Sequence, residues 1–94
     1  MRVRWLRRAA QDLDAEVTYI AKENPTAATE IAVYVDLKVS QLAEQPAIGR
    51  LGRVIGTREL VIDRYPYIVP YRVVSDEIQV LAVFHSRRKP PETW

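Results

Sequence analysis

The sequence predicts a single α+β domain over residues 1–94, with an N-terminal strand and a two-helix hairpin packed on a small antiparallel sheet. The chain has 94 residues, which is enough for one hydrophobic core and too few for two. Its first half spaces apolar side chains as helices do, and its second half holds three short runs rich in valine and isoleucine. Helices followed by a group of strands are typical of an α+β fold.

The N-terminal segment combines a strand period with a helix period. Residues 1–6 are predicted to form a short strand with one wet face, because two apolar side chains alternate there with two arginines. A first helix is predicted over residues 9–23, where Leu13, Val17 and Ile20 repeat at helical spacing. Three acidic residues stand in the early turns of this segment, where the helix dipole favours negative charge.

Asn24 and Pro25 mark the boundary between two helices. Asparagine is a good N-cap, and proline is preorganised for the first helical position. The second helix is predicted from Pro25 to about residue 44, before Gln45 and Pro46 end it. Because the link is so short, the two helices form an antiparallel hairpin, which we expect to cover one face of the sheet.

Residues 47–56 carry all three glycines of the chain together with Arg50 and Arg53. Glycine permits close backbone approach, and arginines can grip phosphates or carboxylates. No Lys-Ser or Lys-Thr follows these glycines, so the segment is not a phosphate-binding loop of the GxxxxGK type. We interpret it as a basic loop beside the sheet, with a plain connector as the alternative.

Residues 56–89 are predicted to form a three-stranded antiparallel meander, with a polar break of hairpin length at residues 75–77. Strict alternation puts Phe84 on the same face as the isoleucine that begins the third run, and His85 on the opposite face. Pro70 lies inside the second run although it has no N–H to donate, which indicates an edge position or a bulge. Since the middle strand of a meander has neighbours on both sides, a bulge or an unpaired N–H is the better resolution.

Composition limits the classes of protein and of site. Hydrophobic residues make up 48% and charged residues 28% of the chain, the balance of a globular protein rather than a disordered tail. No apolar run reaches the roughly 20 residues of a membrane span, and the N-terminus lacks the apolar stretch of a signal peptide. Without cysteine and with one histidine, an ordinary metal site is not expected, and neither is a cofactor. These features predict a cytoplasmic protein with no membrane partner.

Charge is distributed unevenly along the chain. Residues 11–45 hold seven acids against two lysines, whereas the rest of the chain holds 12 of the 14 basic residues and five acids. A basic surface suggests a polyanionic partner, either a nucleic acid or an acidic protein segment. The alternative is that these charges only keep a small protein soluble.

Several short motifs, in their order and spacing, resemble the RelE/ParE superfamily of bacterial toxins. They are AQDL at residues 10–13, Tyr19-Ile20, and the later GTRELV, PYIVPYRV and VFHSRRK. The resemblance covers nearly the whole chain and implies the toxin of a type II toxin–antitoxin module, of the kind that stabilises plasmids. It also implies a cognate antitoxin that wraps and neutralises the toxin, and operator DNA that is bound only through the antitoxin.

One branch of the superfamily, the RelE-like mRNA interferases, cuts messenger RNA on the ribosome without a metal ion. Such an enzyme must deprotonate the attacking 2′-hydroxyl, neutralise the phosphorane and protonate the leaving oxygen. The resemblance implies Arg58 and Arg87 as the matching basic positions, and His85 as the general acid that other nuclease branches place near the last strand. These three residues are the catalytic candidates if the chain is RelE-like.

The other branch, ParE-like, binds DNA gyrase and traps it on broken DNA, which is inhibition without catalysis by the toxin. This chain departs from the nuclease pattern at Leu60 and Ile68, where the resemblance calls for a lysine and an arginine. Trp94 stands in place of a tyrosine and has no hydroxyl proton to donate. These departures favour the ParE-like branch, with the RelE-like nuclease as the alternative.

The target-binding candidates are basic and aromatic residues outside the helical hairpin. They are Arg50, Arg53, Arg72, Arg87, Arg88, Lys89 and Trp94. The three consecutive cations are the strongest of these, because folding gives little reason for them after the last strand. Arg72 has a structural alternative, a pair with Glu59 or Glu77 across the sheet, and His85 has one as a hydrogen-bonded structural histidine.

Overall fold

The protein is described by a computed structural model that covers residues 1–88 and Trp94. The elements are β1 (Arg2–Trp5), α1 (Arg7–Ala21), α2 (Pro25–Ser40) with a 3₁₀ turn (Gln41–Ala43), β2 (Arg50–Leu51), β3 (Arg58–Val61), β4 (Tyr67–Val74), β5 (Glu77–Val80) and β6 (Phe84–His85). The predicted α+β architecture is confirmed. No helix within these residues is long and apolar enough to cross a membrane.

The strands form one sheet in the order β1-β5-β4-β3-β2, and β6 extends the pairing of β4 beyond β5. The central pairs are antiparallel, as predicted, but β1 lies parallel to β5. The sheet is therefore mixed, and the expectation of a purely antiparallel sheet is corrected at this edge. A parallel pair needs a long crossover, and the helical hairpin with the three strands that follow it supplies one.

The helix boundary at Asn24 is confirmed in detail. The Asn24 side-chain oxygen accepts a hydrogen bond from the backbone N–H of Ala27 at 3.0 Å, and Pro25 occupies the start of α2. After Ser40 the 3₁₀ turn carries the chain to Ala43, close to the predicted helix end at residue 44. Because the link is short, α1 and α2 pack against each other and together cover one face of the sheet.

The core lies between α2 and the central strands. Its fully buried members include Val35, Val39 and Leu42 from the α2 region and Tyr71 and Val80 from the sheet. On β4 the core residues Tyr67, Val69 and Tyr71 alternate with residues of the other face, as the two-residue period predicts. The helices therefore occupy one face of the sheet, and no helix among residues 1–88 lies on the opposite face.

The third apolar run is not one strand, because a bulge divides it into β5 and β6. Tyr71 lies opposite Val80, whereas Ile68 lies opposite Phe84, so the third run holds one more residue than β4 over this interval. Pro70 has no N–H to donate, and its carbonyl accepts the N–H of Leu81 at 2.9 Å. The bulge expected at Pro70 is thus confirmed.

The bulge overturns the predicted faces of the last strand. His85 lies opposite Tyr67 on the helix-covered side, and their rings contact edge to face at 5.7 Å between centroids. Phe84 lies opposite Ile68 and belongs to the side without helices. Since the side-chain period is two, a single extra residue moves each of these side chains to the other face.

Candidate target-binding surface

Glu59 on β3 is the centre of a charged cluster on the face of the sheet that carries no helix. Its side chain is only 2% exposed, and it lies opposite Arg50 in the β2–β3 pair. Arg50 donates to Glu59 Oε1 from Nη2 at 2.9 Å and from Nε at 3.2 Å. Arg53 donates to Oε2 from Nε at 2.9 Å and from its backbone N–H at 3.2 Å.

The charge of Glu59 is maintained by these donors. Burial raises the pKa of the Glu59 carboxyl, but the hydrogen bonds from Arg53 and Arg50 and the charge of Arg53 lower it by more in total. The net pKa is below the ordinary value, so the carboxylate stays ionised at neutral pH. The sequence predicts that Arg50 and Arg53 bind an external phosphate or carboxylate, but in the structure both bind the carboxylate of Glu59. Their side chains remain 54% and 40% exposed.

Aromatic side chains extend this cluster across the sheet. The guanidinium carbon of Arg53 lies 5.2 Å from the ring centroid of Phe84, a cation–π distance. Trp94 stacks on the same phenylalanine, with ring centroids 5.5 Å apart and planes 14° from parallel. The indole Nε1 of Trp94 is shielded from solvent and finds no hydrogen-bond partner among the described residues. Trp94 therefore stacks on an aromatic ring of its own chain.

Arg72 lies on the same face and is held by a polar network. Its Nε donates to Gln79 Oε1 at 2.8 Å, and Gln79 Nε2 donates to Glu77 Oε2 at 2.9 Å. Arg4 on β1 reaches the same carboxylate at 3.5 Å. The predicted partners of Arg72 were Glu59 or Glu77, and the structure places Gln79 between Arg72 and Glu77 instead. We call this arginine-rich and aromatic side of the sheet, with Arg4, Arg50, Arg53, Arg72, Phe84 and Trp94, the open face.

The loop before β2 is tied to β4 by a buried tyrosine. The Tyr71 hydroxyl donates to the Pro46 carbonyl at 2.7 Å and accepts the N–H of Gly49 at 2.9 Å. A Cβ added at Gly49 would stand 2.6 Å from the Tyr71 ring, so glycine is required for this approach. Burial is the main cause that raises the pKa of the Tyr71 hydroxyl, which therefore remains a donor. The base of the basic loop is fixed rather than loose.

His85 and Arg88 lie on the other side of the sheet, in a cleft of about 320 Å³ between α1 and β6. Arg88 Nη1 pairs with Glu16 Oε1 at 2.9 Å. Asp12 Oδ2 accepts the N–H of Val83 at 3.0 Å, which fastens α1 to the bulge. His85 Nδ1 accepts the backbone N–H of Arg87 at 3.1 Å, so one ring nitrogen is already used.

The three catalytic candidates do not come together. Arg58 lies opposite Tyr71, and its Nη1 donates to the carbonyls of Gly49 at 2.8 Å and Ala47 at 3.3 Å. His85 lies on β6, along the other edge of β4, and pairs with Tyr67. Tyr67 and Tyr71 are four residues apart, which is about 13 Å along the strand. Arg87 follows His85 in an exposed turn.

The target-binding candidates divide between two sides of the sheet. Arg50, Arg53, Arg72 and Trp94 lie on the open face, and Arg88 lines the cleft. Lys89 lies outside the described residues. Sequence reasoning missed the central role of Glu59; the available signal was an acid inside a strand run just after two loop arginines.

Comparisons with known proteins give a consistent result. Residues 3–90 match the family described as "ParE toxin of type II toxin-antitoxin system, parDE". The chain is 43% identical over 91 residues to "Putative toxin Y4kP" of Sinorhizobium fredii (strain NBRC 101917 / NGR234), covering 97% of this chain and 94% of that protein. It is 34% identical over 84 residues to "Toxin RelE2" of Caulobacter vibrioides (strain ATCC 19089 / CIP 103742 / CB 15), covering 89% and 93%.

Among solved structures, the chain is similar to a protein in the structure titled "Chromosomal ParDE TA system from P. aeruginosa". The TM-score is 0.83 and the sequence identity is 32%, with 90% of this chain and 95% of the other chain covered. The match spans both the helical hairpin and the sheet, in agreement with the element order described above.

Proposed function

Because the chain belongs to the ParE toxin family of type II toxin–antitoxin systems, we propose that it inhibits growth by poisoning DNA gyrase and that a cognate antitoxin neutralises it. The observation that carries the choice of target is the separation of Arg58 on β3 from His85 on β6, since these strands flank β4 and the two residues pair with positions about 13 Å apart along it. A phosphodiester-cleaving site needs its base, its acid and its anion-stabilising donors within hydrogen-bond reach of one phosphate. Arg58 is also occupied by two backbone carbonyls, which argues against a catalytic role for it.

The proposed mode of action is a docked inhibitor that needs no metal and no cofactor. Gyrase with cleaved DNA offers a protein surface and phosphates side by side. The open face offers the matching chemistry, with arginines still partly exposed around Phe84 and Trp94. Arginine forms forked hydrogen bonds to phosphates, and aromatic residues anchor protein interfaces. The proposed target-contact set remains Arg50, Arg53, Arg72, Arg87, Arg88, Lys89 and Trp94.

The proposed antitoxin is the product of a neighbouring gene, and operator DNA is reached only through it. An antitoxin segment that adds a strand or lays a helix in a groove would bury apolar surface that the toxin alone exposes. Trp5, Leu13 and Val17 line an open groove of about 370 Å³ that suits such a segment. Toxin and antitoxin would meet in the cytoplasm, where gyrase also acts.

The test is a gyrase assay with purified toxin. We expect wild-type toxin to inhibit supercoiling and to trap cleaved DNA, and equimolar antitoxin to reverse both effects. The variant His85→Ala is the matched control, since a gyrase poison does not use an imidazole for proton transfer and should retain its potency. Normal supercoiling at a large excess of toxin, with no trapped cleavage product, would contradict the proposal.

The second candidate function is ribosome-dependent mRNA cleavage, and one observation favours it. His85 shares an open cleft with Arg8 and Arg88, so an imidazole lies near cationic groups there. In this case Arg58, His85 and Arg87 would be the first positions to replace. Cleavage of a message in programmed ribosomes, lost in His85→Ala, would replace the gyrase proposal with this one.

A further inference from the structure

The turn that joins β2 to β3 presents apolar side chains to solvent. Ile55 is fully exposed, and Leu51 is 79% exposed. We call residues 51–56 the hairpin tip. Isolated exposed aliphatic residues are common on protein surfaces, but here two of them project from one short turn at the edge of the sheet. A protruding apolar side chain of this kind can act as an interface anchor when a partner buries it in a pocket.

The hairpin tip is braced from below by the charged cluster. Arg50 directly precedes it and Arg53 lies within it, and both are held by the buried carboxylate of Glu59. Three hydrogen bonds close the turn itself. Gly52 N–H donates to the Thr57 carbonyl at 2.9 Å, and the Val54 carbonyl accepts from Thr57 Oγ1 at 2.6 Å and from Thr57 N–H at 3.2 Å. The tip is thus preorganised, which lowers the entropy lost on binding.

This geometry favours one kind of partner. A rigid protrusion fits a concave site on a folded protein, whereas an antitoxin segment that folds on binding adds a strand to a sheet edge or lies in a groove of the toxin. The surface around the tip is basic, because the two positive charges of Arg50 and Arg53 exceed the one negative charge of the Glu59 carboxylate that binds them. The matching site is therefore an apolar pocket bordered by negative charge, such as the phosphates of bound DNA.

On these grounds we infer that the hairpin tip inserts Ile55 into a preformed apolar pocket on DNA-bound gyrase, beside the DNA. The inference rests on the proposed function and adds to it the element that enters the target. Glu59 then acts as a positioning residue, since it holds the two arginines that support the tip. The open face would lie along the DNA next to this anchor.

The experiment compares Ile55→Ser with Val33→Ser. Val33 lies on α2 and is 62% exposed, so the control removes a similar aliphatic group from the other side of the molecule. Burial of one isoleucine side chain corresponds to roughly a 10- to 100-fold change in affinity. We expect Ile55→Ser to raise the toxin concentration for half-inhibition of gyrase at least tenfold, Ile55→Leu to restore it, and Val33→Ser to leave it within about twofold.

Thermal unfolding and binding of the antitoxin are measured on the same variants, and both should stay at wild-type values. Gyrase inhibition by Ile55→Ser at wild-type potency would overturn the inference while leaving the proposed function in place. If Ile55→Ser instead lost antitoxin binding or toxin dimerisation and kept its inhibition of gyrase, the inference would also be overturned, because the tip would then belong to that other interface. A wild-type toxin without any effect on gyrase would remove the proposed function and this inference together.

Discussion

Replacing Tyr71 with phenylalanine removes the one oxygen atom that joins the loop before β2 to the centre of the sheet. The tyrosine is fully buried, and its hydroxyl serves Gly49 N–H and the Pro46 carbonyl at once. In Tyr71→Phe the ring is kept, so packing changes little. The N–H of Gly49 loses its partner in a buried position, which costs about 1–3 kcal/mol. The Pro46 carbonyl is only partly buried and regains water more readily.

We therefore expect Tyr71→Phe to lower the free energy of unfolding by about 2 kcal/mol. For a domain of this size that corresponds to a decrease in Tm of roughly 8–16 °C. The measurement is thermal unfolding of the toxin separated from its antitoxin, followed by circular dichroism. Tyr19→Phe is the matched control, because Tyr19 is 66% exposed and should change Tm by less than about 2 °C. Equal Tm values for the two variants would refute the argument that this hydroxyl fixes the loop.

Three further predictions concern neighbouring groups. Glu59→Gln should destabilise the toxin by about 1 kcal/mol at pH 7, since hydrogen bonds to charged groups are lost but both arginines reach water. The folded-state pKa of Glu59 is lowered, so this stabilisation is present above its ordinary pKa of 4.5 and disappears as the pH falls through the lowered value. The difference in unfolding free energy between wild type and Glu59→Gln should therefore become smaller in acid, and a constant difference would contradict the prediction. Gly49→Ala should cost about 1–3 kcal/mol, because the new Cβ meets the Tyr71 ring, and unchanged unfolding in urea would show that the loop yields. The double variant Arg58→Ala, Arg87→Ala should reduce growth inhibition while remaining folded; full toxicity at unchanged expression would contradict the assignment of both positions to the functional site.

Local chemistry made the helical hairpin predictable from the sequence. Asn24 and Pro25 fix a helix start by their own side-chain and backbone properties, whatever packs around them. The strand β4 was predictable for a similar reason, because its valine, isoleucine and tyrosine residues favour a strand by themselves and the neighbouring strands add only hydrogen bonds. The resemblance to toxins then gave the family, which the comparisons confirmed.

Features that depend on the register between strands were not predictable in this way. The faces of Phe84 and His85 follow from a single extra residue opposite Pro70, and periodicity cannot count a residue that the pairing skips. The burial of Glu59 depends on which arginines the preceding turn places over it. The two loop arginines before this acid indicate such a partner, but the sequence alone does not show that they fold back onto it.

The same bulge explains why the target-binding candidates do not share one surface. Phe84 carries the cation–π and stacking contacts of the open face, and the adjacent His85 points to the helix side. At β6 the open face and the Arg88 cleft are therefore neighbours in sequence, since Phe84 belongs to the first and His85 to the second. A partner that contacts both sets must wrap around this end, whereas a partner that covers only the open face leaves Arg88 paired with Glu16. Contacts to Arg88 thus report how far the target encloses the toxin.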